Sequence, residues 1–121
     1  MSYVDGFVIA IAEDKIEAYR RMATDAAAIW KKHGALDYKE CIIDDDVHEG
    51  LRSFADLSGA VQGEVTVLAF IVYRSREERD AINARVLADP DLKCDPDAMP
   101  FDPRRMAYGG FRTIVGDEPA S

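Results

Sequence analysis

The residues with the greatest chemical potential lie near the two ends of the chain. Segment 99–111 places two adjacent arginines after a proline-flanked turn and continues into Gly109, Gly110 and a phenylalanine. Near the N-terminus, Gly6 likewise precedes a phenylalanine in an apolar stretch. Glycine within a strand weakens packing and often marks the close approach of another group. If these two strands are neighbours, the three glycines leave part of the sheet surface without side chains, which favours a binding site there.

Two interpretations of these glycines remain open. In one, bare backbone forms the floor of a small-molecule pocket between the sheet and its helices. In the other, a large aromatic side chain of the first helix, Trp30 or Tyr19, fills the gap and no pocket results.

Four polar residues could act in such a site, and each also has a structural interpretation. Asp5 lies early in a strand, where a carboxylate must be solvated or paired; it either forms an ion pair, with Arg112 as the expected partner, or faces a substrate. Arg105, together with its neighbour Arg104, could hold an anion, because guanidinium suits carboxylates, or could pair with a neighbouring acid. Tyr108 is either a hydroxyl donor or a packing residue. His33 is either a ligand or a helix-end residue that favours the macrodipole.

Trp30 and His33 lie one turn apart at the end of the first predicted helix, an arrangement that would suit an oxygenase or a haem ligand. The two histidines lack the spacing of a two-histidine metal site. The acidic run 44–49 lacks the spacing of a calcium-binding loop. We therefore expect neither a metal nor a tightly held cofactor.

Composition narrows the class of protein. The chain has 121 residues, 48% of them hydrophobic, and a net charge of −8, which predicts one globular domain that repels nucleic acid and anionic lipid. No apolar run is long enough to span a bilayer, and the first residues have no signal-peptide pattern. Two unrelated cysteines, Cys41 and Cys94, are typical of a reduced cytoplasmic protein.

The periodicity of apolar residues predicts the order β-α-β-β-α-β, which is a ferredoxin-like α+β fold. A four-stranded antiparallel sheet with its first and third strands in the middle would carry two helices on one face. The predicted domain covers residues 1–116, with a loose tail at 117–121. The predicted strands are 3–12, 36–44, 64–74 and 105–115; the predicted helices are 14–33 and one from Ser75 to about Ala88, and a short helical turn is expected near 53–57.

The two central strands are apolar on both faces, although helices can cover only one of them. Phe7 and Ile9 alternate with Val4 and Val8 in the first strand, and the third strand has the same character. A monomer would therefore expose a large apolar patch. The simplest cover is an identical sheet, so we expect a homodimer through the sheet faces that buries roughly 2,000 Å² or more.

Several motifs closely resemble the YbaA-like family, small bacterial proteins of unknown function. They are Tyr3-Val4-Asp5-Gly6-Phe7, Ala88-Asp89-Pro90, Met99-Pro100-Phe101-Asp102 and the run from Arg105 to Phe111. The resemblance covers nearly the whole chain and implies a dimeric α/β barrel, a fold that also serves cofactor-free monooxygenases, haem-degrading oxygenases, lactone isomerases and stress-response proteins. It supplies no reaction and no catalytic residues.

The leading hypothesis is thus a cytoplasmic, small-molecule-binding or stress-related homodimer. The alternative is a cofactor-independent enzyme, similar to a monooxygenase or an isomerase, that acts on a small hydrophobic or anionic metabolite. The residues expected to bind the ligand are Asp5, Gly6, Trp30, His33, Arg105, Tyr108, Gly109 and Gly110.

Overall fold

A computed structural model describes residues 1–46, 48–92 and 99–116 of the chain. The elements follow the predicted order. They are β1 (Tyr3–Ala12), α1 (Ile16–Lys32), β2 (Asp37–Ile42), α2 (Phe54–Ser58), β3 (Glu64–Tyr73), α3 (Arg76–Leu87) and β4 (Ala107–Arg112), with short 3-10 turns at Glu13–Lys15 and Pro103–Arg105.

The sheet is antiparallel, and its strand order is β2-β3-β1-β4. The predicted α+β class and the central position of the first and third strands are therefore confirmed. In the register, Gly6 lies opposite Gly109 and Phe70, while Phe7 lies opposite Tyr108 and Ala69. Side chains alternate between the two faces of a strand, so this register decides which residues the helices cover.

Local sequence explains where the helices begin and end. The Ser75 hydroxyl accepts a hydrogen bond from the Glu78 amide and caps α3. Gly34 follows α1 with a φ of 115°, a conformation that glycine adopts without strain. The first helix begins two residues later than predicted: residues 13–15 form a 3-10 turn, and α1 starts at Ile16 without a side-chain cap.

The last strand is shorter than predicted. Pro103 opens a 3-10 turn in which the Asp102 carboxylate accepts from the Arg104 amide, so Arg105 belongs to a turn and not to β4. At the other end, β4 pairs only with residues 3–8 of β1, and it ends opposite Tyr3, where β1 begins.

The core lies between the helices and one face of the sheet, called here the helix face. One cluster joins α1 and α3 to β3, and a second joins α1 to β1 and β3. The buried members of the first cluster include Ile29, Ile71, Tyr73, Ile82 and Val86. Those of the second include Ile9, Ile11, Tyr19, Ala23 and Val67.

The opposite face of the sheet, called here the open face, carries Val4, Gly6, Val8, Leu68, Phe70, Val72 and Phe111. The short helix α2 covers one end of this face, where the Ser58 hydroxyl lies 2.8 Å from the Thr66 hydroxyl. Beyond α2, Leu68 is 43% exposed and Phe111 is 60% exposed. The apolar character that the sequence predicts for both faces is therefore present.

Within the part of the chain that the structure describes, no helix combines the length and apolar character required to cross a membrane.

Candidate functional site

A pocket of about 860 Å³ lies on the helix face, between α1 and the sheet. Its floor is formed by apolar residues of β1 and β3, among them Phe7, Ile9 and Ile71. Small residues of α1, including Ala23 and Ala26, form one wall. Because alanines stand where larger side chains would fill the gap, space remains between the helix and the sheet. The volume is within the range of small-molecule sites, which are concave and mostly apolar.

A carboxylate with two phenols forms the main polar feature of this pocket. The hydroxyl of Tyr19 donates to Glu40 Oε1 at 2.5 Å, and that of Tyr38 donates to Oε2 at 2.8 Å. Tyr38 and Glu40 are two residues apart in β2 and so project to the same face, while Tyr19 comes from the buried side of α1. Two phenols from two elements therefore hold the Glu40 carboxylate at the wall of the pocket.

The surroundings of this cluster shift its titration. Burial raises the pKa of Glu40 above its ordinary value, and the hydrogen bonds from the two tyrosines only partly oppose that effect. Burial, together with Glu40 itself, also raises the pKa values of Tyr19 and Tyr38 well above the ordinary range. The phenols are therefore hydrogen-bond donors at neutral pH, and the carboxyl group holds its proton more firmly than a free one.

The cluster also separates two spaces. A smaller pocket of about 310 Å³ lies between α1 and the β2 edge. Tyr19, Tyr38 and Glu40 line both pockets, together with Ala23. Groups bound on either side would therefore meet the same carboxylate.

Asp5 belongs to a different polar network, at the end of the sheet near α3. Its side chain accepts from Arg79 Nη1 at 2.8 Å and from the Tyr73 and Tyr108 hydroxyls at 3.1 Å each. The expected partner Arg112 is wrong, since Arg112 lies opposite Tyr3 and the cation comes from α3. A prediction from strand register alone could not include a helix residue.

Tyr108 is half exposed and joins this network rather than the pocket. Its hydroxyl accepts from Arg79 Nη1 at 2.9 Å, and its ring packs against Phe7 with centroids 4.9 Å apart. Both the hydroxyl and the ring of Tyr108 therefore make contacts within the protein.

The side chain of Arg105 forms an ion pair with Glu64 and does not line the pocket. Its guanidinium donates to both carboxylate oxygens of Glu64 at 2.8 Å and to the carbonyl of Gly59. The hydrogen bond from Arg105 lowers the pKa of Glu64 to about 2. This contact ties the 3-10 turn before β4 to the start of β3.

The glycines lie together as predicted, but they do not form the floor of the pocket. Gly6 and Gly109 face each other across β1 and β4 on the open face, where the Phe111 ring covers them. Gly110 lies on the helix face beneath the ring of Tyr3. The aromatic side chains that fill the gaps are therefore Phe111 and Tyr3 rather than Trp30 or Tyr19.

Of the residues predicted to bind ligand, Trp30 is the one that lines the pocket. Its indole Nε1 donates to Asn83 Oδ1 at 3.0 Å, which fixes the ring between α1 and α3. His33 points instead to Asp89, with Nε2 and Oδ2 at 2.7 Å. Lys32 also binds Asp89, and its hydrogen bond is the main reason that the pKa of Asp89 is depressed.

Asp46, in the acidic run 44–49, has a structural role. The Asp46 carboxylate accepts from the amides of Phe54 and Ala55 and so holds the start of α2.

Sequence analysis missed the Glu40 cluster. Tyr38 and Glu40 lie two residues apart in β2 and so on the same face, and Tyr19 lies in the apolar stripe of α1. The available signal was a carboxylate two residues from Tyr38 on one face of the strand, but β2 is a polar edge strand in which such residues are ordinary.

The comparisons with known proteins agree with this fold and assign no activity. Residues 2–103 match the family described as "Protein of unknown function (DUF1428)". The uncharacterized protein YbaA of Escherichia coli K12 is 43% identical over 117 residues, which cover 97% of this chain and 100% of that protein. YbaA of Shigella flexneri matches with the same identity, 43%, and the same coverage.

A solved structure of similar fold illustrates the architecture. It is the crystal structure of an uncharacterized NIPSNAP domain protein from Burkholderia xenovorans, with a TM-score of 0.50 and 14% sequence identity. The match covers 95% of this chain and 99% of that one. At this identity the likeness concerns the fold alone.

Proposed function

The chain belongs to the DUF1428 family of proteins of unknown function, and we propose that it binds a small, largely apolar molecule between α1 and the sheet. The observation that carries this proposal is the pocket of about 860 Å³, whose largely apolar lining includes the Glu40 carboxylate held by two phenols. Apolar walls supply affinity, and a small number of fixed polar groups supply orientation.

We also propose that the protein acts as a homodimer in the cytoplasm. The exposed apolar side chains of the open face support the dimer, because a stable monomer rarely leaves such a patch in water. The dimer would cover the open face and leave the pocket accessible, since the pocket lies on the other side of the sheet. The exposed free thiol of Cys41 is compatible with a reducing compartment.

The pocket is tested by filling it. In Ala26→Trp, an indole would occupy the space beside α1, so binding of the neutral fluorescent probe 2-(1-naphthyl)ethanol should weaken at least about tenfold, the equivalent of roughly 1.4 kcal/mol. Titration by fluorescence and by calorimetry would measure the dissociation constant for the wild type and the variant.

A matched control is Ala84→Trp, since Ala84 is exposed on α3 and does not line the pocket. This variant should bind the probe like the wild type. The proposal is wrong if the wild type does not bind the neutral probe, or if both tryptophan variants bind it as the wild type does.

A further inference from the structure

The carboxylate in the pocket has no cationic partner among the described residues. The two groups that bind Glu40 are neutral phenols, and no lysine or arginine of residues 1–46, 48–92 and 99–116 forms an ion pair with it. A partly buried carboxylate is normally stabilised by an opposite charge. Glu40 instead retains unused acceptor capacity, because a carboxylate offers about four lone-pair positions and the phenols occupy two.

The cations nearest this region already have partners. Lys32, at the pocket rim, binds Asp89 at 2.6 Å and approaches Asp91. Arg20, which lines the smaller pocket, pairs with Glu17 at 3.3 Å. An anionic ligand would therefore have to displace an existing ion pair, and it would also meet the negative charge of Glu40.

Aromatic rings form much of the remaining wall. Trp30 and Tyr38 lie with centroids 6.1 Å apart, and Tyr19 meets the edge of Phe101 at 5.6 Å. All four residues line the pocket. The faces of aromatic rings attract cations, most strongly where water is excluded.

We propose that the pocket selects an organic cation, with an apolar body between α1 and the sheet and an ammonium group at the carboxylate of Glu40. The inference rests on the proposed function and deepens it by naming the ligand class. It departs from the expectation of an anionic metabolite, because the two arginines on which that expectation depended already have partners: Arg104 pairs with Asp102 and Arg105 with Glu64.

The charge on Glu40 makes the selection dependent on pH. Tyr19 of α1 and Tyr38 of β2 bind it directly. Arg20 also lines the smaller pocket, Asp25, Lys32 and Asp91 line the larger one, and the lining residues of β1 and β3 are apolar. Since burial raises the pKa of Glu40, its carboxylate takes up a proton at a higher pH than a free one. Affinity for an ammonium ligand should therefore fall as the pH decreases through this transition.

Three probes with one naphthyl body separate the possibilities: 2-(1-naphthyl)ethylamine, 2-(1-naphthyl)ethanol and 1-naphthylacetate. At pH 8 the wild type should bind the ammonium probe at least about tenfold more tightly than the alcohol, since a hydrogen bond to a charged group exceeds a neutral one by about that factor, and should bind the carboxylate most weakly. Glu40→Gln should remove the preference for the ammonium probe over the alcohol and its pH dependence.

Glu77→Gln is the matched control, because it removes the same charge from an exposed position in the first turn of α3. It should keep the ammonium preference of the wild type. Equal affinity for the amine and the acid, or an unchanged ammonium preference in Glu40→Gln, would overturn the proposed selectivity while leaving a binding pocket in place. Failure to bind both the alcohol and the amine would overturn the proposed function as well.

Discussion

At the scale of single residues, Asp5 illustrates how a buried charge is accommodated in a central strand. Its side chain is almost fully buried and meets the Arg79 guanidinium, which is itself only 13% exposed. Two tyrosine hydroxyls complete the coordination. A pair of this kind does little for stability relative to an apolar pair, but the loss of one member leaves an uncompensated charge.

Replacement of the Arg79 cation by a neutral side chain should therefore destabilise the folded protein. We expect Arg79→Leu to lower the free energy of unfolding by roughly 3–5 kcal/mol, because the buried Asp5 side chain would lose its counter-ion. Urea unfolding at pH 7 can be followed through the fluorescence of Trp30.

The matched change is Arg76→Leu, at an exposed position of the same helix. It should alter the free energy of unfolding by no more than about 0.5 kcal/mol. Equal stability of the two variants would show that the Asp5 pair does not hold α3 to β1.

The need of Asp5 for a partner follows from its place in an apolar strand, and the sequence predicted that need. The identity of the partner depends on how α3 packs over β1 and β3. Strand pairing does not determine that packing. For the same reason the roles of Arg105 and His33 depend on Glu64 and Asp89, which are distant in sequence.

At the scale of elements, the paired glycines of β1 and β4 bring the two strands together beneath aromatic rings. Gly109 lies under Phe111 on the open face, and Gly110 lies under Tyr3 on the helix face. The Tyr3 ring is held in turn by the Arg79 guanidinium, 5.0 Å from its centroid. The two adjacent glycines therefore differ in how much space surrounds them.

Adding a methyl group at each position tests this difference. In Gly110→Ala, the new Cβ would lie 2.8 Å from Tyr3 Cε2, so we expect a loss of about 1–3 kcal/mol from overpacking. In Gly109→Ala, the nearest atom is Phe111 Cε1 at 3.5 Å, an ordinary contact, and stability should be maintained. Thermal and urea unfolding would measure both.

If Gly110→Ala is as stable as Gly109→Ala, the ring of Tyr3 moves freely and does not require the glycine. Sequence analysis placed these glycines on neighbouring strands correctly. It could not assign them to faces, because a shift of one residue in register exchanges the two faces.

At the scale of the whole molecule, the sheet separates two surfaces with different proposed roles. The helix face contains the pocket and the Glu40 cluster, while the open face carries the apolar side chains that a partner would cover. A ligand and a second copy of the chain could therefore bind at the same time.

The dimer has a direct test on the open face. We expect Leu68→Asp to lose the dimer and give monomer or aggregate, because a carboxylate would be buried between two apolar sheets. Light scattering coupled to size-exclusion chromatography would measure the mass.

Leu87→Asp is the control, since Leu87 is 75% exposed on α3 and lies on the helix side of the sheet. This variant should keep the mass of the wild type. A monomeric wild type, or a dimer that survives Leu68→Asp, would contradict the proposed assembly.

The sequence by itself determined the order of elements, the central strands and the two apolar faces of the sheet. These follow from apolar periodicity, from glycine and proline positions and from local capping, all of which act over a few residues. Trp30, one of the residues predicted from the sequence to bind ligand, lines the pocket.

The tertiary structure alone decided where the pocket lies and which carboxylate it contains. The pocket exists because alanines of α1 leave space above β1 and β3, and Glu40 acquires its environment only when Tyr19 of α1 and Tyr38 of β2 meet it. Such contacts depend on the distance and angle between a helix and a sheet, and no spacing within a single element encodes them.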